Sequence, residues 1–235
     1  PKPFDPRLIM EIPPGVAKAA EESGIAARPI EDLDAYRDDL SRFVFRSGML
    51  MKPMFEAARS TKRRLVLAEG EGGKMLQACQ LIVSEELADV TLVGRPHVIE
   101  DKIKSMGLSI VPGKDFDIVD NLNDDVITSI GEEYHGLMAR QGMTPKAAQT
   151  RVRANTTVVA SMLLRRGDAD AMLCGTFGTY GKHLRMVDEI IGRKKESPVV
   201  GALTVLILPQ GTIFLTDTHV NFDPTAEQLC VLAKL

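Results

Sequence analysis

From Leu65 onward, short apolar stretches alternate with longer amphipathic ones, and this alternation constrains the fold more than any other feature. The short stretches have the length of buried strands, and the longer ones have the apolar spacing of helices. Strands separated by helices lie parallel in one sheet, because each helix returns the chain to the same edge. The sequence therefore predicts an α/β fold. The expected strands are 65–68, 90–93, 116–119 and 171–174, and the expected helices are 74–87, 96–106, 124–141, 145–166 and 182–191.

The expected helix 145–166 has clear signals at both ends. Thr144 can cap its amino end, and Pro145 suits the first turn. Gly167 can adopt the left-handed conformation that commonly follows a helix. We therefore expect one continuous helix between these signals.

The remaining segments predict further helices and a hairpin. Helices are expected at 15–23 and 32–46, and another is expected to open with Asp223 as its cap and Pro224 in its first turn. Apolar stretches at 199–208 and 212–216 flank a Pro-Gln-Gly turn, which is a hairpin signal. The hairpin could join the main sheet or belong to a second lobe. Because the chain stops soon after Pro224, we expect a fragment of a longer polypeptide.

Composition and residue spacing exclude several classes of partner. The net charge of −3 gives no reason to expect nucleic acid or an anionic membrane, and no apolar run of about 18 residues predicts a membrane span. Cys79, Cys174 and Cys230 lie far apart in apolar surroundings, so we expect reduced core thiols in a cytoplasmic protein. The four histidines lack metal-ligand spacing, and no metal site is expected.

A glycine-rich segment, 175–181, is the leading candidate for a ligand site. It follows an expected strand and precedes an expected helix, so its backbone N–H groups could approach a phosphate with the help of the helix dipole. Two basic residues follow closely. The candidate ligand-binding residues are Thr176, Gly178, Thr179, Lys182 and Arg185. The alternative is that the glycines only permit a tight turn.

Two nucleotide-binding fingerprints fail in this sequence. In the loop 69–74, a P-loop would need glycine at Ala68 and Ser or Thr at Met75, and a GxGxxG motif would need glycine at Met75. The segment 175–183 fails at Thr176 and His183 for the same reasons. We therefore expect no Rossmann nucleotide site in this chain.

Isolated polar residues add one further candidate. Asp217 directly follows an expected strand and is a candidate for a polar site. Asp168 and Asp170, which flank the start of another strand, are expected in a solvated turn. No GxSxG nucleophile motif is present. His183, in the first turn of an amphipathic helix, is expected at the surface or in an interface.

Blocks along the whole chain resemble the large bacterial NADP-dependent malic enzymes. Residues 1–8 resemble the segment that closes the NAD(P)-binding domain of that family, and 51–58 the linker that follows. Other blocks resemble its C-terminal domain, which is related to phosphate acetyltransferase. These blocks are 169–176, 183–185, 207–212 and 223–229.

The resemblance implies a fold and a domain plan. The fold would be a three-layer α/β/α sandwich of the isocitrate/isopropylmalate dehydrogenase type, as in phosphate acetyltransferase, with two lobes and an incomplete C-terminal end. Residues 1–12 would end an upstream NAD(P)-binding malic enzyme domain, and 13–60 would form a helical linker. Residues 61–166 would form the first phosphotransacetylase-like lobe, and 167–235 the truncated second lobe.

The resemblance also implies a function. The parent would oxidatively decarboxylate malate to pyruvate, and its catalytic residues, NADP site and Mg²⁺ or Mn²⁺ site would lie upstream. This fragment would hold no catalytic residue or cofactor of its own. It would be a regulatory domain that binds acetyl-CoA as an allosteric inhibitor and assembles a homo-oligomer, at least a dimer, with a hexamer as one arrangement. No nucleic acid or membrane partner is expected.

The departures from the acetyltransferase pattern favour binding over catalysis. The position of a histidine in the transferases is Gly178 here, and that of an aspartate is Lys182, while Arg185 keeps the arginine. Replacing a carboxylate by an ammonium group favours an anionic ligand and removes a group that acetyl transfer would use. An active phosphate acetyltransferase and a purely structural assembly domain are the alternatives.

Overall fold

The computed structural model describes residues 6–195, 197, 199–208, 210–217 and 220–235, except for the side chains of 6, 7 and 41–50. The chain divides into two compact units. The larger unit is Ala58–Val200, and the smaller one combines the chain up to Ala57 with Gly201–Leu235. The predicted lobe boundary at 166/167 falls inside the larger unit, and the four-part domain plan stays a prediction.

The secondary structure alternates as the sequence predicted between Arg63 and Ile190. The helices are α1 (Pro6–Glu22), α2 (Leu33–Ser60), α3 (Gly73–Ser84), α4 (Pro96–Ser105), α5 (Asp124–Met138), α6 (Pro145–Ala154), α7 (Thr156–Arg166), α8 (Tyr180–Ile190) and α9 (Ala226–Leu232), and a 3-10 turn, Ala139–Gln141, follows α5. The strands are β1 (Arg63–Leu67), β2 (Ala88–Val93), β3 (Asp117–Val119), β4 (Ala171–Leu173), β5 (Leu203–Leu208) and β6 (Gly211–Thr216).

Strands β1 to β4 form one parallel sheet with the order β3-β2-β1-β4. Alternate residues of the central strands belong to two different cores. Val66 and Val93 pack with buried residues of α5, α6, α7 and α8, whereas Leu67 and Leu92 pack with those of α3 and α4. Because successive strand residues point to opposite faces, helices cover both faces of the sheet. The α/β prediction is confirmed.

The prediction of one continuous helix over 145–166 is wrong, since the segment forms two helices. Asn155 has an extended conformation, with φ −135° and ψ 100°, and separates α6 from α7. Its side-chain amide donates to the carbonyl of Arg151 and so satisfies one carbonyl at the end of α6. Both predicted end signals are confirmed, because Thr144 caps α6 and Gly167 follows α7 with φ 82°.

Three other expectations need correction. Strand β4 is not buried, because among the described strands it pairs only with β1, and Leu173 is 50% exposed. Helix α9 begins at Ala226, with Thr225 and Gln228 forming a capping box, so Asp223 is not its cap. The cysteines are free, but only Cys79 is buried; Cys174 is half-buried and Cys230 is exposed.

The predicted hairpin is confirmed as the antiparallel pair β5 and β6. The turn residue Pro209 lies outside the described residues. Among the described strands the pair forms a sheet of its own and does not join the parallel sheet. Its apolar side chains are exposed on both faces, with Leu203 at 64% on one face and Ile213 at 45% on the other.

Gly70 lies where the chain leaves β1 and passes against β2. A Cβ atom on Gly70 would lie 2.8 Å from the carbonyl oxygen of Val93 and 2.9 Å from Cβ of Leu92. We expect Gly70→Ala to lower the free energy of unfolding by about 1–3 kcal/mol, because the backbone of β2 must shift. Urea denaturation measures this change. Gly136→Ala is the matched control, because it meets no atom within 4 Å in α5 and should raise stability by about 0.5–1 kcal/mol. Equal effects of the two variants would contradict the close-packing argument.

Candidate functional site

The sheet has a topological switch point between β1 and β4. From β1 the chain adds β2 and β3 on one side, and β4 then joins the other side of β1. At such a point the loops after the two strands diverge and leave a crevice at the carboxyl edge of the sheet, where α/β proteins bind ligands. Here the two loops are the one that begins at Ala68 and the glycine-rich segment 175–181.

Glu69 connects these two loops. Its carboxylate oxygens accept hydrogen bonds from the backbone N–H of Gly175 at 3.0 and 3.1 Å, and Oε2 lies 3.4 Å from the hydroxyl of Thr176. The first backbone donor of the glycine-rich segment is therefore occupied by a carboxylate of the chain itself. Phosphate binding by the backbone of this segment stays a prediction, and at Gly175 the N–H group already has an internal acceptor.

His183 holds the same segment through a second set of contacts. Its Nε2 atom lies 2.6 Å from the carbonyl oxygen of Phe177, and its Nδ1 atom lies 2.8 Å from the hydroxyl oxygen of Thr157. Because a carbonyl only accepts, Nε2 carries a proton, and in the neutral ring Nδ1 accepts from Thr157. Glu69 Oε1 lies 3.7 Å from Nδ1. Of the two expected placements, surface or interface, the surface one is wrong, since the side chain is 12% exposed and connects α8 to α7 and to the loop.

Gly178 has a steric role beside this histidine. Its φ is +95°, and an added Cβ would lie 3.1 Å from Nε2 of His183. A left-handed conformation and a close neighbour both favour glycine. At this position the turn interpretation of the glycines is the better one, and ligand binding by Gly178 stays a prediction.

A basic cavity of about 1020 Å³ lies between α6 and the beginning of α8. Three predicted residues, Thr179, Lys182 and Arg185, contribute to its wall. The other lining residues are Thr144, Lys146, Ala147, Thr150, Arg151, Ala154, Asn155, Gly181 and Met186. The structure therefore brings three of the six predicted site residues together and adds a face of α6 to them.

The charges in the basic cavity are not balanced. Arg151 pairs with Glu189 at 2.8 Å. Lys146, Lys182 and Arg185 are exposed, and no carboxylate of the described part of the chain forms an ion pair with any of them. No acidic side chain lines the cavity. Three unneutralised cations around a concave surface attract an anion.

A second cavity, of about 600 Å³, lies at the carboxyl edge of the sheet, and we call it the sheet-edge cavity. Its lining residues come from the loops after β1, β2, β3 and β4 and from the α6–α7 junction. They are residues 69–74, Val93, Arg95, Asn121, Leu122, Arg153, Thr156, Thr176 and Phe177. Thr176 thus lines this cavity and not the basic one, and Phe177 beside it is 83% exposed.

Ion pairs neutralise most of the charge in the sheet-edge cavity. Arg95 donates to both oxygens of Glu71, at 2.8 and 2.7 Å, and its hydrogen bonds hold the pKa of that carboxyl below the usual value. Arg153 pairs with Asp124 at 2.7 Å. The two cavities therefore differ in charge: one is basic and the other is close to neutral.

Asp217 belongs to the smaller compact unit, apart from the unit that holds the other predicted residues. It has a positive φ of 55°, and its Oδ1 atom accepts hydrogen bonds from the backbone and side chain of Asn221 at 3.1 and 2.7 Å. These contacts stabilise a turn after β6. Its role in ligand binding stays a prediction.

Asp170 is exposed at a bend, in agreement with the expected solvated turn, and it is also an ion-pair partner. Its carboxylate accepts from the guanidinium and the backbone N–H of Arg64 at 2.8–3.2 Å. These hydrogen bonds lower its pKa to about 2. The pair connects the amino ends of β1 and β4, at the edge of the sheet opposite the two cavities.

Neither a metal-binding cluster nor a membrane-spanning helix occurs among the described residues. No group of three or more His, Cys, Asp or Glu side chains among them is arranged to hold a metal ion. No helix in the described part of the chain is both long and apolar enough to cross a bilayer.

Sequence reasoning did not identify Glu69, Lys146 and Thr157 as parts of this region, and it gave no indication of the contacts of His183. Glu69 directly follows β1, and that position was a usable signal once β1 and β4 were known to be neighbours. Lys146 and Thr157 lie on separate helices, and nothing in their local sequence indicates that they approach α8. Their positions depend on helix packing.

Comparison with known proteins identifies the family. The model of the phosphate acetyl/butaryl transferase family matches residues 49–235. The NADP-dependent malic enzyme of Haemophilus influenzae is 52% identical over the whole chain, which spans 31% of that protein. The phosphate acetyltransferase of Clostridium acetobutylicum is 30% identical over 78% of the chain, corresponding to 56% of that protein.

Solved structures agree on the fold. The EutD phosphotransacetylase from Staphylococcus aureus matches with a TM-score of 0.67 and 16% identity over 78% of this chain and 55% of that one. The parallel sheet with helices on both faces is thus an arrangement that phosphotransacetylases share. The chain therefore belongs to the phosphate acetyl/butaryl transferase family.

Proposed function

We propose that this chain is the regulatory and assembly domain of an NADP-dependent malic enzyme, and that it binds acetyl-CoA as an allosteric inhibitor without catalysing a reaction itself. Its high identity to malic enzymes supports this parent. Oxidative decarboxylation of malate would then take place in the upstream part, with NADP and Mg²⁺ or Mn²⁺. The domain would assemble a homo-oligomer and adopt the two-lobed sandwich of the isocitrate/isopropylmalate dehydrogenase type.

The basic cavity is the observation that carries this proposal. Its volume of about 1020 Å³ is that of a small-molecule ligand site. Three cations without carboxylate partners line it. Acetyl-CoA has a phosphorylated, polyanionic end that such a cavity attracts. Two of the cations, Lys182 and Arg185, lie one helical turn apart on α8. The ammonium group of the lysine and the guanidinium group of the arginine therefore reach the same side of the ligand.

The surroundings of the glycine-rich segment support binding without transfer. Both ring nitrogens of His183 have internal partners, so neither is free to move a proton to or from a ligand. Glu69 is likewise engaged with Gly175 and Thr176. Among the side chains that α8 places at the basic cavity is the ammonium group of Lys182, at the position where the acetyltransferase pattern has a carboxylate.

Replacing Arg185 tests this function in the full-length enzyme. We expect Arg185→Ala to weaken acetyl-CoA binding about tenfold, because removing one of three cations costs on the order of 1.4 kcal/mol of binding free energy. Isothermal titration calorimetry measures this change. Arg63→Ala is the matched control, because Arg63 is an exposed arginine at the opposite edge of the sheet. If Arg185→Ala left the affinity for acetyl-CoA unchanged, acetyl-CoA would not bind in the basic cavity.

The same preparations distinguish the two alternatives. Family membership favours an active phosphate acetyltransferase, which would release free thiol steadily from acetyl-CoA and phosphate. We expect no steady release. A purely structural domain would bind no acetyl-CoA, and its deletion would change only the oligomeric mass. If acetyl-CoA does act through this domain, malate bound upstream must change its affinity by the same factor.

A further inference from the structure

The basic cavity and the sheet-edge cavity share a thin wall. Along the α6–α7 junction, Arg153 and Thr156 line the sheet-edge cavity, while Ala154 and Asn155 between them line the basic one. The same alternation occurs in the glycine-rich segment, where Thr176 and Phe177 line one cavity and Thr179 the other. Consecutive residues are about 3.8 Å apart, so one or two residues separate the cavities.

The break in the expected long helix lies at this wall. At Asn155 the backbone is extended, and α7 starts in a new direction directly after α6 ends. The residues that line the two cavities therefore meet at the junction of the two helices.

The two cavities differ in the chemistry that they offer. The basic cavity has three cations without carboxylate partners, namely Lys146, Lys182 and Arg185. In the sheet-edge cavity two ion pairs are closed, and the remaining charged groups, Glu69 and Lys74, have opposite signs. The ring of Phe177, 83% exposed, adds an apolar surface at the wall. One cavity suits phosphate groups, and the other suits a neutral chain.

We propose that the two cavities together bind one elongated ligand across their shared wall. Its phosphorylated end lies among Lys146, Lys182 and Arg185, and its neutral arm crosses Phe177 into the sheet-edge cavity. This inference rests on the proposed function, since an acyl-CoA has this division between a phosphorylated nucleotide and an uncharged thioester arm. It adds two residues to the site, Lys146 for the phosphates and Phe177 for the arm.

Two probes separate the ends of the ligand in calorimetry with the full-length enzyme. Adenosine 3′,5′-bisphosphate offers only the phosphorylated end, whereas acetyl-CoA offers both ends. We expect Lys146→Gln to lower the affinity for both probes about fivefold to tenfold, because the phosphates of each probe contact this cation. We expect Phe177→Ala to weaken acetyl-CoA about fivefold and to leave the bisphosphate unchanged, because only the arm contacts the ring.

Controls and contrary outcomes are distinct for each claim. Lys104→Gln, an exposed lysine of α4 that lines neither cavity, should change neither affinity. Unchanged bisphosphate affinity in Phe177→Ala also shows that the variant is folded. If acetyl-CoA binds and Phe177→Ala leaves its affinity intact, the two-cavity site is wrong and the proposed function stands. If the wild-type enzyme binds no acetyl-CoA, both proposals are wrong.

Discussion

Replacing His183 by alanine is expected to lower the free energy of unfolding by about 2–4 kcal/mol. The substitution removes the hydrogen bonds to Thr157 and Phe177 and leaves the Thr157 hydroxyl, 2% exposed, without a partner. Each lost hydrogen bond contributes about 1 kcal/mol, and a buried unsatisfied hydroxyl costs about 1–3 kcal/mol. Urea denaturation followed by circular dichroism measures the total.

The same variant should loosen the glycine-rich segment. We expect faster amide hydrogen exchange at Gly175–Gly178, because His183 no longer anchors the Phe177 carbonyl. His97→Ala is the matched control, since His97 is exposed on α4 and should change stability by less than about 0.5 kcal/mol. If His183→Ala were as mild as His97→Ala, the histidine would not position the loop.

Cys79 is expected to react with iodoacetamide about a thousandfold more slowly in the native protein than in the unfolded chain. Burial raises the pKa of its thiol from 9.0 to about 12, so the nucleophilic thiolate is depleted by about three orders of magnitude at neutral pH. The side chain is also 0% exposed. Quantitative mass spectrometry of the alkylated peptide measures the rate.

The peptide that contains Cys79, labelled in urea, provides the internal reference. Cys174, half-buried, should react faster than Cys79 in the native protein. The pKa shift also predicts a direction for stability. Because the folded state raises the pKa of Cys79, it favours the protonated thiol. The contribution of Cys79 to the free energy of unfolding is therefore fully present below pH 9 and is lost as the pH rises toward 12. Rapid native labelling of Cys79 would contradict its placement in the core.

Local sequence signals predicted the elements of the larger unit well and their ends less well. The helices between Gly73 and Ile190 have apolar residues at helical spacing, and Thr144 and Gly167 mark ends that the structure confirms. The break at Asn155 was missed because the apolar spacing continues across it. Its extended conformation is compensated by tertiary packing on both sides, since Val152, Val158 and Val159 all belong to the same core.

In the candidate site too, local sequence signals predicted the segment but not its tertiary contacts. The glycine-rich segment and the basic residues after it are evident in the sequence, and Thr179, Lys182 and Arg185 do line one cavity. The internal acceptor of the Gly175 N–H group was not evident, because Glu69 is more than a hundred residues away in the chain. Its proximity follows only from the pairing of β1 with β4.

The sequence by itself determined the fold class, the parallel sheet and the glycine-rich turn between β4 and α8. These features depend on periodicity and on backbone preferences within a few residues. Tertiary structure alone decided what surrounds that turn: the carboxylate of Glu69, the bridge through His183 and the position of Lys146 beside the cations of α8. Such contacts join residues that are distant in the chain, and they form because strand order and helix packing bring separate elements together.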